Sequence, residues 1–574
     1  MGLKGAGGVD DARNPKHRSE RSERGAQGVS RESRSPGAFE VVSVRETTSE
    51  ATTHADVRTF IGNDAPLQAM TGPVPELADR AVACANRLLE ADRVLLASHI
   101  DADGLTSAAI AASALERAGL PFETVFEKQL DEAAIESIAA TEYETVLFTD
   151  FGSGQLDIIG ECEDAGAFTP VIADHHQPAE RDTEYHLNPL LFGINGASEL
   201  SGAGASYVLA RALADVSGQA DADDPPVATD GGTATAATGT EAHADNRDLA
   251  ALAIVGAVGD MQASGGELHG ANAEIVAEGV DAGVLETGTD LAIYGKQTRP
   301  LPKLLEYATD VGIPGISNDE AGALRFLEDL DLELKRDGEW RRWAGLTNEE
   351  KQVVASALVK RAVSRGVPAG KIDQLVGTSY VLRTEPVGTE LRDASEFSTL
   401  LNATARYERA DVGLAVCLGD RGEALERARS LLRNHRRNLS QGIDLVTQEG
   451  VTHEDHIQWF HAGDRIRETI VGIVAGMAMG NAGVSRSKPI FAFAEKSAEE
   501  ASGSGGDAEV KVSARGTHSL VRRGLDLSVV MGEASRAVGG DGGGHDVAAG
   551  ATVPSGAEDE FVVRADEIVG EQLS

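Results

Sequence analysis

Three short apolar runs, residues 94–97, 146–148 and 170–173, each close on an acidic cluster: His99-Ile100-Asp101-Ala102-Asp103-Gly104, Thr149-Asp150-Phe151 and Asp174-His175-His176. Short apolar runs that alternate with helix-like stretches read as parallel strands of an α/β fold with a doubly wound sheet. Ligands bind at the carboxyl ends of such strands. The pattern therefore brings at least four carboxylates and several imidazoles to one sheet edge. Charge of one sign packed that closely is costly unless cations sit in it, so the reading is a divalent-metal site, with two ions.

The alternation continues along the chain. Strands are expected at 93–98, 122–127, 145–151 and 169–174, and helices at 75–91, 105–118, 132–140 and 155–165. Helices at 201–216 and 249–258 follow, the second delivering Asp260. The first domain spans 74–300. Residues 301–438 read as a charged, mostly helical connecting region, amphipathic at 339–343. A smaller α/β domain over 439–574 carries strands at 443–446, 489–494 and 510–514. Residues 1–60 and the insert 221–245, poor in core-forming side chains, read as disordered, with a Gly/Ser/Glu-rich loop at 498–507.

A chain of 574 residues holds two or three such units. Its 52 Lys and Arg against 92 Asp and Glu give a net charge of -40, with only 4% aromatics, which suits a surface kept soluble in a halophile's cytoplasm. A global basic footprint for nucleic acid is missing. At molar salt the counterion term is largely lost anyway, so such a substrate is not excluded. Cys84, Cys162 and Cys417 fit no metal or disulfide spacing and read as small buried hydrophobes. No apolar segment opens the chain, and the longest, 469–479, is too short to span a bilayer. The expected setting is cytoplasmic, with no membrane partner.

His99, Asp101 and Asp103 alternate past a strand and point the same way, so they can share one site. Asp150, on the neighbouring strand's end, can bridge two cations, and His175 adds a nitrogen ligand. Carboxylates with one or two imidazoles suit Mn²⁺ or Mg²⁺, the histidines favouring Mn²⁺. A calcium loop starting at His99 fails, because its twelfth position is Ile110 rather than Glu. His453-Glu454-Asp455-His456 lacks the spacing of a zinc-protease pair. Trp340, Trp343 and Trp459 read as packing residues, and Arg433, Arg436 and Arg437 as either a solvated helix face or a phosphate contact.

The set resembles the DHH phosphoesterase superfamily. Its motifs are similar to SHIDADGLTSAAI (98–110), LFTDFGSGQ (147–155), IADHHQP (172–178) and AIVGAVGDMQ (253–262), in that order. The stretch HLNPLLFGINGASELSGAGASYVLAR (186–211) resembles RecJ-type members. VKVSARGTHSL (510–520) and VGGDGGGHDVAAGA (538–551) resemble the DHH-associated domain. The likeness covers roughly 75–270 and 440–555. It implies that His99 and Asp101 help hold one ion, that Asp103, His175 and Asp260 hold the other, and that Asp150 bridges them. It also implies that Asp174 orients a neighbour and that His176 faces the scissile phosphate. Many RecJ proteins carry an Asp where His99 stands, a departure shared with other DHH branches.

In the second domain, Arg515 offers a planar fork for phosphate and His545 a donor. Gly542, Gly543 and Gly544 let backbone N–H groups approach an anion. Both His545 and Arg515 thus join Asp174 and His176 as expected catalytic residues, with the cleft between domains as the substrate channel. The implied function is a RecJ-like exonuclease that hydrolyses single-stranded DNA or RNA by a two-metal mechanism, in DNA repair or replication. Two alternatives share the motifs: a phosphodiesterase for short oligonucleotides or cyclic dinucleotides, and a replisome accessory protein bound to GINS on the replicative helicase. A pure scaffold would lose metal ligands, and here every one is present.

Overall fold

The computed structural model describes residues 72–223, 244–263, 265–308, 311–479, 481, 483–496 and 509–574. Helix α1 (Ala78–Leu89) leads into β1 (Val94–His99), α2 (Ala102–Arg117), β2 (Phe122–Glu127), α3 (Glu132–Ala139), β3 (Thr145–Thr149), α4 (Leu156–Asp164), β4 (Thr169–Ala173) and the two-residue β5 (His186–Leu187). The five strands are parallel, in the order β2-β1-β3-β4-β5. The order reverses between β1 and β3, so their carboxyl ends flank the crevice where ligands bind in such sheets. Both strands are buried nearly throughout, which explains why they read as continuous apolar runs.

Helix α5 (Gly202–Asp223) and α6 (Ala250–Gly259) cover one face of this sheet together with α2. Alanines and small residues fill α2, and its buried positions run almost its whole length, because a helix packed on several sides leaves no polar face. After α7 (Ala271–Asp281), strand β6 (Leu285–Leu291) pairs antiparallel with the distant β9 (Val376–Leu382). Between them lie α8 (Leu301–Glu306), α9 (Glu320–Glu328), β7 (Lys335–Arg336), β8 (Glu339–Trp340), α10 (Asn348–Ser364) and α11 (Ala369–Asp373). These share their own core around the buried Trp343. Helices α12 (Ala394–Ala405), α13 (Ala410–Cys417) and α14 (Glu423–Glu449) then return to the first core through Phe397, Leu400, Val416 and Leu425.

The last unit contains β10 (Thr452–His453), β11 (Gln458–His461), α15 (Glu468–Ala478), β12 (Ile490–Glu495), β13 (Glu509–Arg515), β14 (Asp541–Gly544) and β15 (Ala548–Pro554). They form a mixed sheet ordered β10-β11-β12-β13-β15-β14, with separate apolar clusters on its two faces.

Three expectations change. Residues 443–446 form no strand; they lie inside α14, whose buried Leu425, Ala428, Leu432, Gly442 and Val446 follow helical spacing. The boundary expected at 438/439 therefore falls within one continuous helix. Residues 339–343 form no helix: β7 and β8 are a hairpin turned by Asp337-Gly338, both with positive φ (53° and 83°), the backbone an Asp-Gly hairpin requires. Cys84 and Cys417 are buried as small hydrophobes, whereas Cys162 is partly exposed. The expected disorder over 1–60, most of the insert 221–245 and the loop 498–507 fall outside the described residues; residues 221–223 are the end of α5. Among the described residues no helix is long and apolar enough to cross a membrane.

Candidate metal centre

Each acidic side chain sits at a chain reversal beyond a strand or helix. Asp101 caps α2, its Oδ1 accepting from the Gly104 N–H at 3.0 Å. Asp103, in the first turn of α2, is buried and accepts from the Gly202 N–H (2.8 Å) and the Ala203 N–H (3.1 Å), so the amino end of α5 faces a carboxylate. Asp150 leaves β3 at φ 60°, a left-handed conformation that non-glycine residues seldom adopt away from functional sites. Asp174 and His175 follow β4, and Asp260 ends α6.

These side chains assemble into three overlapping groups whose ligand atoms lie within 4.8 Å of one another: His99, Asp101 and Asp150; Asp103, His175 and Asp260; and Asp150, Asp174, His175 and His176. Asp150 stands between the first two groups. Its Oδ2 is 3.4 Å from His99 Nδ1, and its Oδ1 is 3.3 Å from His175 Nε2. That Oδ1 is buried without a hydrogen-bond partner. With only the His175 imidazole beside it and no hydrogen bond to hold it, a buried carboxylate oxygen is costly, and this arrangement fits a cation on that side of Asp150. The cluster is able to bind metal.

Surrounding groups aim the ligands. His175 Nδ1 lies 2.7 Å from the Gly196 carbonyl oxygen and donates to it, which directs Nε2 at Asp103 and Asp150. Gln262 donates to Asp260 Oδ2 (2.9 Å) and to the same Gly196 oxygen (2.8 Å), and Asn272 in turn holds Gln262. Asp174 is fully engaged: its oxygens accept from the backbone N–H groups of Ser153, His175 and His176 and from His176 Nδ1 at 2.8 Å. His176 is the exposed member, and with Asp174, Lys128 and Gln155 it lines a cavity of about 220 Å³ beside Asp150.

Close approach needs glycine at two positions. A Cβ on Gly202 would meet Asp150 Oδ1 at 2.3 Å, and one on Gly256 would meet Asp103 Oδ1 at 2.4 Å. Helices α5 and α6 can crowd the carboxylates only because these positions carry no side chain.

The electrostatics are those of a crowded acidic site. Burial, reinforced by Asp150 and Asp260, pushes Asp103 well above the usual carboxylate range, and burial raises Asp260. Burial works against charge on His99 and His175. The neighbouring Asp101 and Asp150 carboxylates outweigh it at His99, and those of Asp150 and Asp103 do so at His175, raising both imidazoles to about 11. Asp101 falls to about 2: burial opposes its ionisation, and the His99 partner overcomes it. The hydrogen bond that His176 donates to Asp174 raises the His176 imidazole.

Of the expected residues in the second domain, Arg515 and His545 share one end of the sheet. Arg515 pairs in register with Ala548, whose carbonyl accepts from the His545 N–H. Gly542, Gly543 and Gly544 form the edge strand β14, and Gly543 has open space around it. Among the described residues, neither Arg515 nor His545 makes a hydrogen bond or ion pair with the acidic cluster. Burial and the neighbouring Arg406 charge lower the Arg515 guanidinium.

Sequence reasoning missed the supporting residues. Ser153 and His186 lie beneath Asp174, joined at 2.8 Å, with Asn188 donating to Ser153 Oγ and to the His176 carbonyl. Asn402 accepts from the Ala102 N–H at 3.2 Å across 300 residues of chain. Gln262 and Asn188 lie inside the motif stretches 253–262 and 186–211, where their polar side chains were a usable signal; Asn402 left no local one.

Comparison with known proteins agrees with this geometry. Residues 93–235 match the model of the DHH family, N-terminal domain; 293–376 match the DHH-CID domain and 456–571 the DHHA1 domain. The chain thus carries a DHH-family N-terminal domain, a DHH-CID domain and a DHHA1 domain in that order. An uncharacterized protein of Methanocaldococcus jannaschii is 29% identical over 484 residues, covering 83% of this chain and 93% of that protein. The fold is RecJ-like: RecJ from Thermus thermophilus, solved in complex with Mn²⁺, superposes with TM-score 0.50 at 16% identity. That match covers 88% of this chain and 56% of RecJ, so the chain spans little over half of that relative. CDC45 from Entamoeba histolytica superposes with TM-score 0.57 at 11% identity, covering 86% of this chain and 99% of that one.

Proposed function

We propose that this protein hydrolyses phosphodiester bonds of single-stranded DNA or RNA as an exonuclease, with two divalent ions, Mn²⁺ preferred over Mg²⁺. The observation that carries the reading is Asp150, placed between two ligand groups with an unpartnered buried oxygen. The Mn²⁺ in the Thermus RecJ supports the choice of metal.

His99 and Asp101 would hold one ion, Asp103, His175 and Asp260 the other, and Asp150 both. Two divalent ions, when bound, would supply a nucleophile at neutral pH and charge stabilisation for the leaving oxygen. The chain's own groups do the rest. Asp174 would hold His176 oriented and favour its protonated form, so that an outward Nε2–H can donate to a phosphate oxygen at the cavity mouth. Arg515, His545 and the backbone of Gly542, Gly543 and Gly544 would grip the same strand from the second domain. The wider roles that go with this reading are DNA repair or replication, a cytoplasm of high salt, and a contact with GINS on the replicative helicase, which a pull-down with GINS subunits tests.

The direct assay gives the full chain end-labelled single-stranded DNA and RNA with Mn²⁺ at high salt. Stepwise release of nucleotides is expected, falling by about 1,000-fold or more in Asp150→Ala and His175→Ala. Undiminished cleavage in both variants contradicts the proposal, and a preference for dinucleotides over long strands moves the function to the small-substrate class.

A further inference from the structure

Acidic residues outnumber basic ones by 92 to 52 in this chain, and several arginines are paired with carboxylates: Arg117 with Asp248, Arg211 with Glu278, Arg341 with Glu350. Arg299 and Arg436 are different. Among the described residues neither has a carboxylate within 4.0 Å; their hydrogen bonds go to the backbone carbonyl and the hydroxyl of one tyrosine, Tyr294. Arg299 lies between two rings, 4.9 Å from the Tyr294 centroid and 4.8 Å from that of Tyr307, and Arg436 comes over Tyr294 from α14 at 5.5 Å. Space for Arg299 is made by Gly295, where a Cβ would meet the arginine's Cδ at 2.5 Å. Burial and the Arg436 charge together lower the Arg299 guanidinium, against the opposing influence of Tyr294 and Glu396. Tyr307 is 50% exposed, with ring area left for a further partner.

The nest is close to the metal centre. Glu396 of α12 accepts from the Gln297 N–H and the Thr298 hydroxyl beside Arg299, so its carboxylate is already engaged. Six residues later, about 9 Å along the same helix, Asn402 contacts Ala102, next to Asp101.

We propose that Tyr294, Arg299, Tyr307 and Arg436 form a strand-binding subsite beside the reaction centre, in which the two guanidiniums hold a phosphodiester and the half-exposed ring of Tyr307, which Lys303 also approaches at 5.7 Å from the centroid, stacks a base. Paired arginines suit a phosphate's oxygens, and aromatic faces accept any base. The subsite rests on the reading of single-stranded nucleic acid as substrate, and it supplies the local basic surface that the overall composition lacks.

The test is equilibrium binding of a fluorescent single strand of about twelve nucleotides, in EDTA so that nothing is cleaved, across a salt series. Arg436→Glu should weaken binding about ten-fold or more and lower the slope of log K against log salt by about 0.7 for each phosphate no longer neutralised. Tyr307→Ala should weaken it about ten-fold with little change in slope. Arg365→Glu, the same charge change on an exposed arginine outside the nest, controls for net charge, and melting curves control for folding. Should folded Arg436→Glu and Tyr307→Ala bind as the control does, while wild type binds well, the subsite is wrong and the nuclease reading stands. Wild type that binds no strand at all overturns both.

Discussion

The Asp174 carboxylate holds His176 by its Nδ1 at 2.8 Å and leaves that imidazole's other nitrogen facing a cavity beside Asp150. Asp174 is itself buried and braced by the Ser153 N–H, so the motif residue with no free oxygen is the one that orients the exposed imidazole. Removing the brace should therefore act through His176. In Asp174→Asn the histidine loses the partner that keeps it protonated, and cleavage should fall by about 100-fold while Mn²⁺ affinity changes little, read by parallel kinetics and calorimetry.

His186, under this pair, gives a pH signature. Burial lowers its imidazole to about 4 from 6.5, so the folded protein resists protonating it. A lowered histidine contributes stability that is complete above pH 6.5 and is lost as the pH falls to 4, by about 3 kcal/mol in all. Urea melts between pH 7 and 4 should show this slope, and His186→Gln should flatten it.

Metal binding should be strongly pH-dependent. Without metal, His99 and His175 carry protons up to about pH 11, and Asp103 keeps its own well above the usual range. Ligation requires these protons to leave. Mn²⁺ affinity should then rise by about ten-fold or more per pH unit between pH 6 and 8, with proton release seen by calorimetry in buffers of different ionisation enthalpy. An affinity flat with pH contradicts the assignment of both histidines.

Gly202→Ala tests the packing around the bridge. The added Cβ would fall 2.3 Å from Asp150 Oδ1, so α5 or the carboxylate must move. The expected cost is about 1–3 kcal/mol, with a loss of metal affinity of about 10- to 100-fold. The same substitution at the open Gly543 should leave stability nearly unchanged.

Much of this was legible in the sequence because parallel strands are buried on both faces. Runs such as 146–148 are therefore apolar and stop where the acidic clusters begin. The first three motifs could be located because each begins at a strand end, whereas Asp260 ends α6. What escaped were features set by partners far along the chain. Asn402 reaches Ala102 only after helices α12 to α14 fold back onto the first core, and Ser153, His186 and Asn188 form one network only once β5 joins the sheet. The apolar run at 443–446 misled because four residues cannot reveal their period; across the whole of α14 the spacing is helical. The Arg299–Arg436 nest is likewise invisible in sequence, joining residues from two regions 137 positions apart that local pattern treats as unrelated charges.

The central claim is a two-ion centre bridged by Asp150, and calorimetric titration of the full chain with Mn²⁺ tests it most directly. The account predicts two ions per chain and, in Asp150→Ala, an affinity reduced at both sites by about 100-fold. Binding of a single ion, or two-site binding left intact by Asp150→Ala, would contradict it.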